Sequence, residues 1–127
     1  MEITNLVEKD QFAKYCGIEL TEVATGTATA KMVIHPHHLN GVGIVQGGAL
    51  FTLADVALAA AANSHNVVAV GLVSSINYFK AEASGTLYAK ANEISLRRTI
   101  ACYHVDIINE QNELIAAFQG TVYRKNG

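Results

Sequence analysis

The stretch Asn40-Gly41-Val42-Gly43-Ile44-Val45-Gln46-Gly47-Gly48-Ala49-Leu50-Phe51-Thr52-Leu53-Ala54-Asp55 passes from a glycine-rich loop into an apolar run that continues to Asn63. Alanine and leucine dominate Ala49 to Asn63, and both favour helix. Gly47 to Ala62 is the most apolar part of the chain, short for a membrane span and with Asp55 at its middle. The run therefore predicts a buried helix. A carboxylate placed there is costly unless it is neutralised, partnered or solvated in a cleft. Asp55 either points outward, is tied into a structural hydrogen bond, or works chemically.

Outward from this helix the pattern changes. Before it, Thr27 to Ile34 alternates Ala28, Ala30, Met32 and Ile34 with Thr27, Thr29, Lys31 and Val33, the period of a half-buried strand. Ala24-Thr25-Gly26 supplies a turn ahead of it, and a weak helical pattern from Asp10 to Tyr15 stops at Gly17. Beyond Asn66 the composition turns to β-branched and aromatic residues. Four strands are predicted there, at Val67 to Phe79, Thr86 to Leu96, Thr99 to Asn109 and Leu114 to Tyr123. Their separators, Ala83-Ser84-Gly85, Arg97-Arg98 and Glu110-Gln111-Asn112, are short enough for antiparallel neighbours. One long helix against an antiparallel sheet of about five strands is an α+β arrangement.

With 127 residues the chain suits one domain, 1–127. Half of the residues are hydrophobic and 16% are charged, the composition of a globular protein. The net charge of -2 gives no basic field for nucleic acid. Met1 to Gln11 mixes charges with a few apolar residues and has no signal-peptide core. Cys16 and Cys102 make neither a metal spacing nor a disulfide framework, so reduced thiols in a cytoplasm are expected, with no membrane partner and no nucleic acid.

Gly47 and Gly48 remove side chains where the free N–H groups of a helix start face outward, a geometry suited to an anion or a polarised carbonyl. Gly47 and Asp55 stand eight residues apart. At the helical rise that is about 12 Å, too far to act on one carbonyl. If two such helices pack antiparallel across a two-fold axis, Gly47 of one copy approaches Asp55 of the other. A homodimer is expected on that ground.

The run Asn-Gly-x-Gly-x-x-x-Gly-Gly, followed by Leu53 and Asp55, resembles the signature of PaaI-like hotdog-fold thioesterases, and the likeness extends from the first strand through Tyr78-Phe79-Lys80 to Phe118-Gln119-Gly120. The resemblance implies a hotdog fold, acyl-CoA as substrate, no cofactor, and a homodimer or a dimer of dimers. By analogy Asp55 is the nucleophile or general base, Gly47 the oxyanion-hole amide with Gly48 beside it, and Asn40 a polar positioner of substrate or water. Gln46 stands where many relatives have histidine; glutamine orients a carbonyl or water and does not titrate. Ala81 replaces a proline frequent in relatives. In hotdog relatives, basic groups near the sheet rim meet CoA phosphates, which makes Lys80, Arg97 and Arg98 candidate contacts. Ser75, ahead of Ser74, is the candidate polar group near the acyl pocket. Small residues from Ala57 to Ala62 suggest room for an aryl or medium-chain acyl group, or else close helix packing.

Other motifs are weaker. Gly41-Val42-Gly43 is half of a dinucleotide fingerprint with Gln46 where its third glycine belongs. His35, His37 and His38 lack a second ligand cluster, and a solvated loop suits them better than a metal. His65 and His104 stand alone. Two readings rival hydrolysis: a hotdog module that binds acyl-CoA without turnover, and a hydratase or dehydratase, against which Gln46 argues.

Overall fold

Residues 5–125 are described by a computed structural model. Two short helices, α1 (Asn5–Glu8) and α2 (Gln11–Tyr15), lead into strands β1 (Ile18–Ala24) and β2 (Thr27–Val33). After a 3-10 turn at Pro36–His38 comes the long helix α3 (Gly47–Ala62), then β3 (Ala69–Tyr78), β4 (Thr86–Leu96), β5 (Ile100–Ile108) and β6 (Leu114–Arg124). The six strands form one sheet in the order β1-β2-β4-β5-β6-β3, and every neighbouring pair is antiparallel. The sheet curls round α3, which contacts all six strands. This is the expected α+β layout with one strand more than predicted.

The added strand is β1. Ile18 is buried and Leu20 half-buried, but Glu19, Thr21 and Glu22 are exposed, and a register shift between Leu20 and Glu22 breaks the alternation. An edge strand with one short buried side carries little hydrophobic signal.

Helix α3 is apolar because it is covered. Leu53, Ala54, Ala57 and Ala61 are fully buried against Met32, Leu87, Tyr103, Val105, Ile107, Ile115, Phe118 and Val122 of the sheet. Each large aliphatic or aromatic side chain so placed contributes about 1.5–3 kcal/mol. The helix and sheet approach closely at Gly120, where a Cβ would collide with Leu58 Cδ1. The segment Gly47–His65 has the length and composition to cross a bilayer, yet in this fold most of it lies beneath the sheet.

Candidate active site

The first turn of α3 has four N–H groups with no partner in the helix. Gln46 is the N-cap; its Oε1 accepts from Gly48 N–H at 2.8 Å, and its carbonyl accepts from Ala49 N–H at 2.9 Å and Leu50 N–H at 3.3 Å. Among the described residues, the Gly47 N–H is left without a hydrogen-bond acceptor. Gln46, placed by sequence at the site, therefore acts here as a helix cap and takes up the amide next to the open one.

Both glycines sit against the ends of neighbouring side chains, which a side chain at either position would have to displace. A Cβ on Gly48 would stand 2.9 Å from Gln46 Oε1, and one on Gly47 would stand 2.8 Å from Tyr78 Oη. Tyr78, at the end of β3, donates its hydroxyl to the Gly47 carbonyl at 3.0 Å. Asn40 shapes the approaching loop: its Oδ1 accepts from Val42 N–H at 3.0 Å and Ile44 N–H at 3.3 Å, and its own N–H donates to Ile44 O at 2.8 Å. A cavity of about 400 Å³ opens between these parts, lined by Asn40, Gly47, Tyr78 and Lys80 and walled by Ile44, Leu50, Phe79 and Ile115. Lys80 meets Glu82 at 3.1 Å and Glu113 at 3.8 Å, so carboxylates already balance its charge.

Asp55 lies outside that cavity. Its neighbours Leu53, Ala54, Val56 and Ala57 are buried, while Asp55 is exposed and has no hydrogen bond or ion pair among the described residues. The structural-bond explanation for it is thereby removed. Protein packed around the base of the side chain withdraws enough water to push its carboxyl above the usual aspartate value, and the negative charge of Asp10 at the start of α2 adds to this. Gly48, Thr52 and Asp55 recur at helical spacing on one stripe of α3, and Thr52 Oγ1 donates to Gly48 O at 2.8 Å. Ala57, Ala60, Ala61 and Ala62 are buried. These alanines serve close packing against the sheet, and the space beside the site comes from the Ile44–Leu50–Phe79–Ile115 cavity instead.

Within β3, Ser74 rather than Ser75 belongs to the inner face. Ser74 pairs with Gly120, and its Oγ would lie 3.3 Å from a Cβ there, beside Leu58 of α3. Ser75 is exposed and follows on the opposite face. Arg97 and Arg98 form the β4–β5 turn, where their carbonyls accept from Arg124 Nη1 at 2.8 and 3.3 Å. That turn is at the Ala69 and Arg124 end of the sheet, whereas Gly47 is at the Tyr78 end. One chain thus gathers Asn40, Gly47 and Lys80 round the cavity, turns Gln46 and Gly48 to the adjoining Thr52 side of the helix start, and leaves Asp55, Arg97 and Arg98 apart.

This arrangement of helix, sheet and glycine-rich entry has relatives. Residues 42–116 match the family description "Thioesterase superfamily". The chain belongs to that superfamily. An Archaeoglobus fulgidus protein that carries an esterase name is 38% identical over 95% of this chain and 79% of its own length. The acyl-coenzyme A thioesterase PaaI of Escherichia coli is 33% identical over 96% of this chain and 88% of its own. The solved structure of the E. coli PaaI protein superposes with a TM-score of 0.94 over 99% of this chain and 92% of that one. A hypothetical thioesterase protein from Streptococcus pneumoniae, solved with coenzyme A, is 26% identical with a TM-score of 0.90 over 97% of each chain. The expected hotdog thioesterase family is thereby established, and the superfamily fold supplies the sheet-wrapped helix seen here.

Sequence reasoning missed two residues that act on the candidate site residues. Tyr78 reaches Gly47 across 31 positions, a pairing with no local signal. Asp10 was legible only as a helix start, and the packing of α2 on α3 makes it a neighbour of Asp55.

Proposed function

We propose that this protein hydrolyses acyl-CoA thioesters to the free acid and CoA at sites shared between two copies of the chain. The observation that carries the reading is the unpartnered Gly47 N–H at the head of a 16-residue helix, in a residue that lines an apolar cavity. A thioester carbonyl oxygen placed on that amide receives a preorganised donor and the positive end of the helix dipole as charge develops on it. Asp55 lies about 12 Å along the same helix and cannot reach that carbonyl. A second copy, with its α3 antiparallel, brings its own Asp55 to the first copy's Gly47.

Two features support the pairing. β3 ends the sheet, so its outer edge is unpaired, and its ten residues carry no charge. Val70, Leu72, Val73 and Tyr78 of this strand are exposed, as is Phe79 after it. A long uncharged edge of this kind is normally covered. The Gly48–Thr52–Asp55 stripe of α3 is open as well, and its small residues admit a close helix. The same two-fold rotation carries the Arg97-Arg98 turn toward the second copy's Gly47 end, where these arginines suit CoA phosphates. A dimer of dimers is a further step of the same kind. Cys16 and Cys102 are free thiols, in keeping with a cytoplasmic setting.

In the chemical step Asp55 removes a proton from water as the oxygen attacks the thioester carbon, and the tetrahedral intermediate then expels the CoA thiolate. The other route has Asp55 attack directly, giving a mixed anhydride that water then cleaves. Either route needs the ionised carboxylate, so kcat falls on the acid side with an apparent pKa above the ordinary aspartate value, following the upward push on Asp55. The cavity walls favour acyl groups longer than acetyl, each buried methylene contributing about 0.8 kcal/mol. A flat kcat/KM profile across acetyl, butyryl, hexanoyl, octanoyl and phenylacetyl thioesters would remove that preference and leave the site assignment standing.

The test of the site is Asp55→Asn, with an expected loss of about a hundredfold or more in kcat and unchanged folding. Near-parental turnover would end the assignment. Binding of acyl-CoA by the parent without any single-turnover hydrolysis would establish the non-catalytic binding module instead.

A further inference from the structure

His38 is one of three described polar or charged residues that are buried, and both of its ring nitrogens are used. His35 N–H donates to Nδ1 at 3.0 Å, which leaves the proton on Nε2, and Nε2–H donates to Cys16 O at 2.7 Å. Cys16 is the C-cap of α2, so the ring joins the end of that helix to the loop that leads into α3. Burial, foremost, holds the imidazole below its usual pKa, and the neighbouring rings of His37 and His35 act in the same sense against the Cys16 bond.

The backbone of His38 continues the connection. Its carbonyl accepts from Gln46 N–H at 2.8 Å, one peptide before the open Gly47 N–H. Leu39 bridges to Val45 above this bond, and Asn40 closes the loop on Ile44. On the far side of the open amide, Tyr78 holds the Gly47 carbonyl. The peptide that carries the open N–H is thus clamped on both sides, by His38 before it and by Tyr78 after it. A residue of His38's size without polar atoms would leave His35 N–H and Cys16 O unsatisfied, and the root of the loop would lose its tie to α2.

We infer that His38 is a positioning residue for the oxyanion amide: its neutral ring pins the 38–46 loop to α2 and thereby fixes where the Gly47 N–H points. This rests on the proposed hydrolytic role of Gly47. The ring touches neither substrate nor reacting atoms, and its effect passes through Gln46.

His38→Ala, measured on the full chain at a temperature where parent and variant are both folded, tests it. The expected result is a fall in kcat of about tenfold to a hundredfold with KM within about threefold, because orientation is lost and binding is not. His38→Gln, whose side-chain N–H groups can reach toward Cys16 O, should recover most of the lost kcat. In parallel, amide exchange across residues 39–47 should quicken about tenfold in His38→Ala while β5 and β6 stay protected. A kcat within about twofold of the parent, or unchanged exchange across 39–47, overturns the inference. If the parent hydrolyses no acyl-CoA, the hydrolytic reading has failed, and the exchange result alone then decides the role of His38. If His38→Ala does not fold, His38→Gln is read by the same two measurements: a kcat reduced with KM held and faster exchange across 39–47 support the inference, and parental values of both overturn it.

Discussion

The two ends of α3 are finished in opposite ways. At the C-terminal end side chains tie the helix to its surroundings: Asn63 donates through Nδ2 to Ala59 O at 2.8 Å and accepts from Ala69 N–H at 3.0 Å, while Ser64 Oγ donates to Ala61 O at 2.6 Å and accepts from Gly26 N–H at 2.8 Å. His65 meets Glu93 at 2.6 Å, and the buried Tyr103 donates to the same carboxylate at 2.9 Å. At the N-terminal end one side chain, Gln46, caps one amide, and the next amide is left open beside a cavity. A satisfied helix end holds the fold together, and an unsatisfied one is available for chemistry.

The strongest way to break this contrast is to fill the open end. Gly47→Val places a Cβ against the Tyr78 hydroxyl and branches it toward the cavity. The backbone N–H remains, but the added side chain obstructs the approach to it and displaces Tyr78, and the expected outcome is a loss of about a hundredfold in kcat. On the proposed sharing of sites between two copies, inactive Gly47→Val and inactive Asp55→Asn chains should restore part of the activity when mixed, since one of the two shared sites would then combine a normal Gly47 with a normal Asp55. Continued inactivity after verified subunit exchange would show that each chain builds its own site.

The closed end answers differently. Tyr103→Phe removes a donor from Glu93 and is expected to lower stability by about 1–2 kcal/mol while kcat stays within about twofold. A large loss of kcat with stability unchanged would show that the two ends do not divide the work in this way. The measurement is a denaturation midpoint beside a steady-state assay at equal protein concentration.

What was legible in the sequence follows the range of the interactions. α3 and the Asn40–Asp55 motif were readable because helix propensity, glycines and a lone carboxylate are local signals. β4 fell at its predicted bounds, Thr86–Leu96, because turn residues flank it. Sequence alone does not separate Ser75 from Ser74, because the register shift between Gly71 and Val73 is invisible without the partner strand, and it is β6 pairing that fixes the faces of β3. The alanines from Ala57 to Ala62 read equally as pocket or as packing, and only the position of the sheet decides between them. Tyr78 and His38 act through bonds that join distant segments, where composition has nothing to say.

The smallest expected effect separates the two carboxylates by the sign of their pH dependence. Asp55 is pushed above its ordinary pKa by burial and by Asp10, so ionising it opposes folding. Its contribution is therefore most favourable below the unfolded value and is lost as pH rises through the folded one. Burial would also raise Glu93, but the bonds from His65 and Tyr103, with the nearby charges of His65 and Arg124, outweigh it and hold that carboxyl low. Its stabilising effect is present above the ordinary glutamate pKa and fades as pH falls through the lowered one. Asp55→Asn should therefore raise the melting temperature at pH 7, by about 1–2 °C after allowance for its exposure to solvent, and the gain should vanish below about pH 4. Glu93→Gln should lower the melting temperature at pH 7, and that deficit should shrink as the solution is acidified. Parallel slopes for the two variants would mean that their surroundings do not differ as the structure places them. Opposite slopes, with turnover lost only in Asp55→Asn, would confirm that one carboxylate is held for stability and the other is kept open at a cost to it.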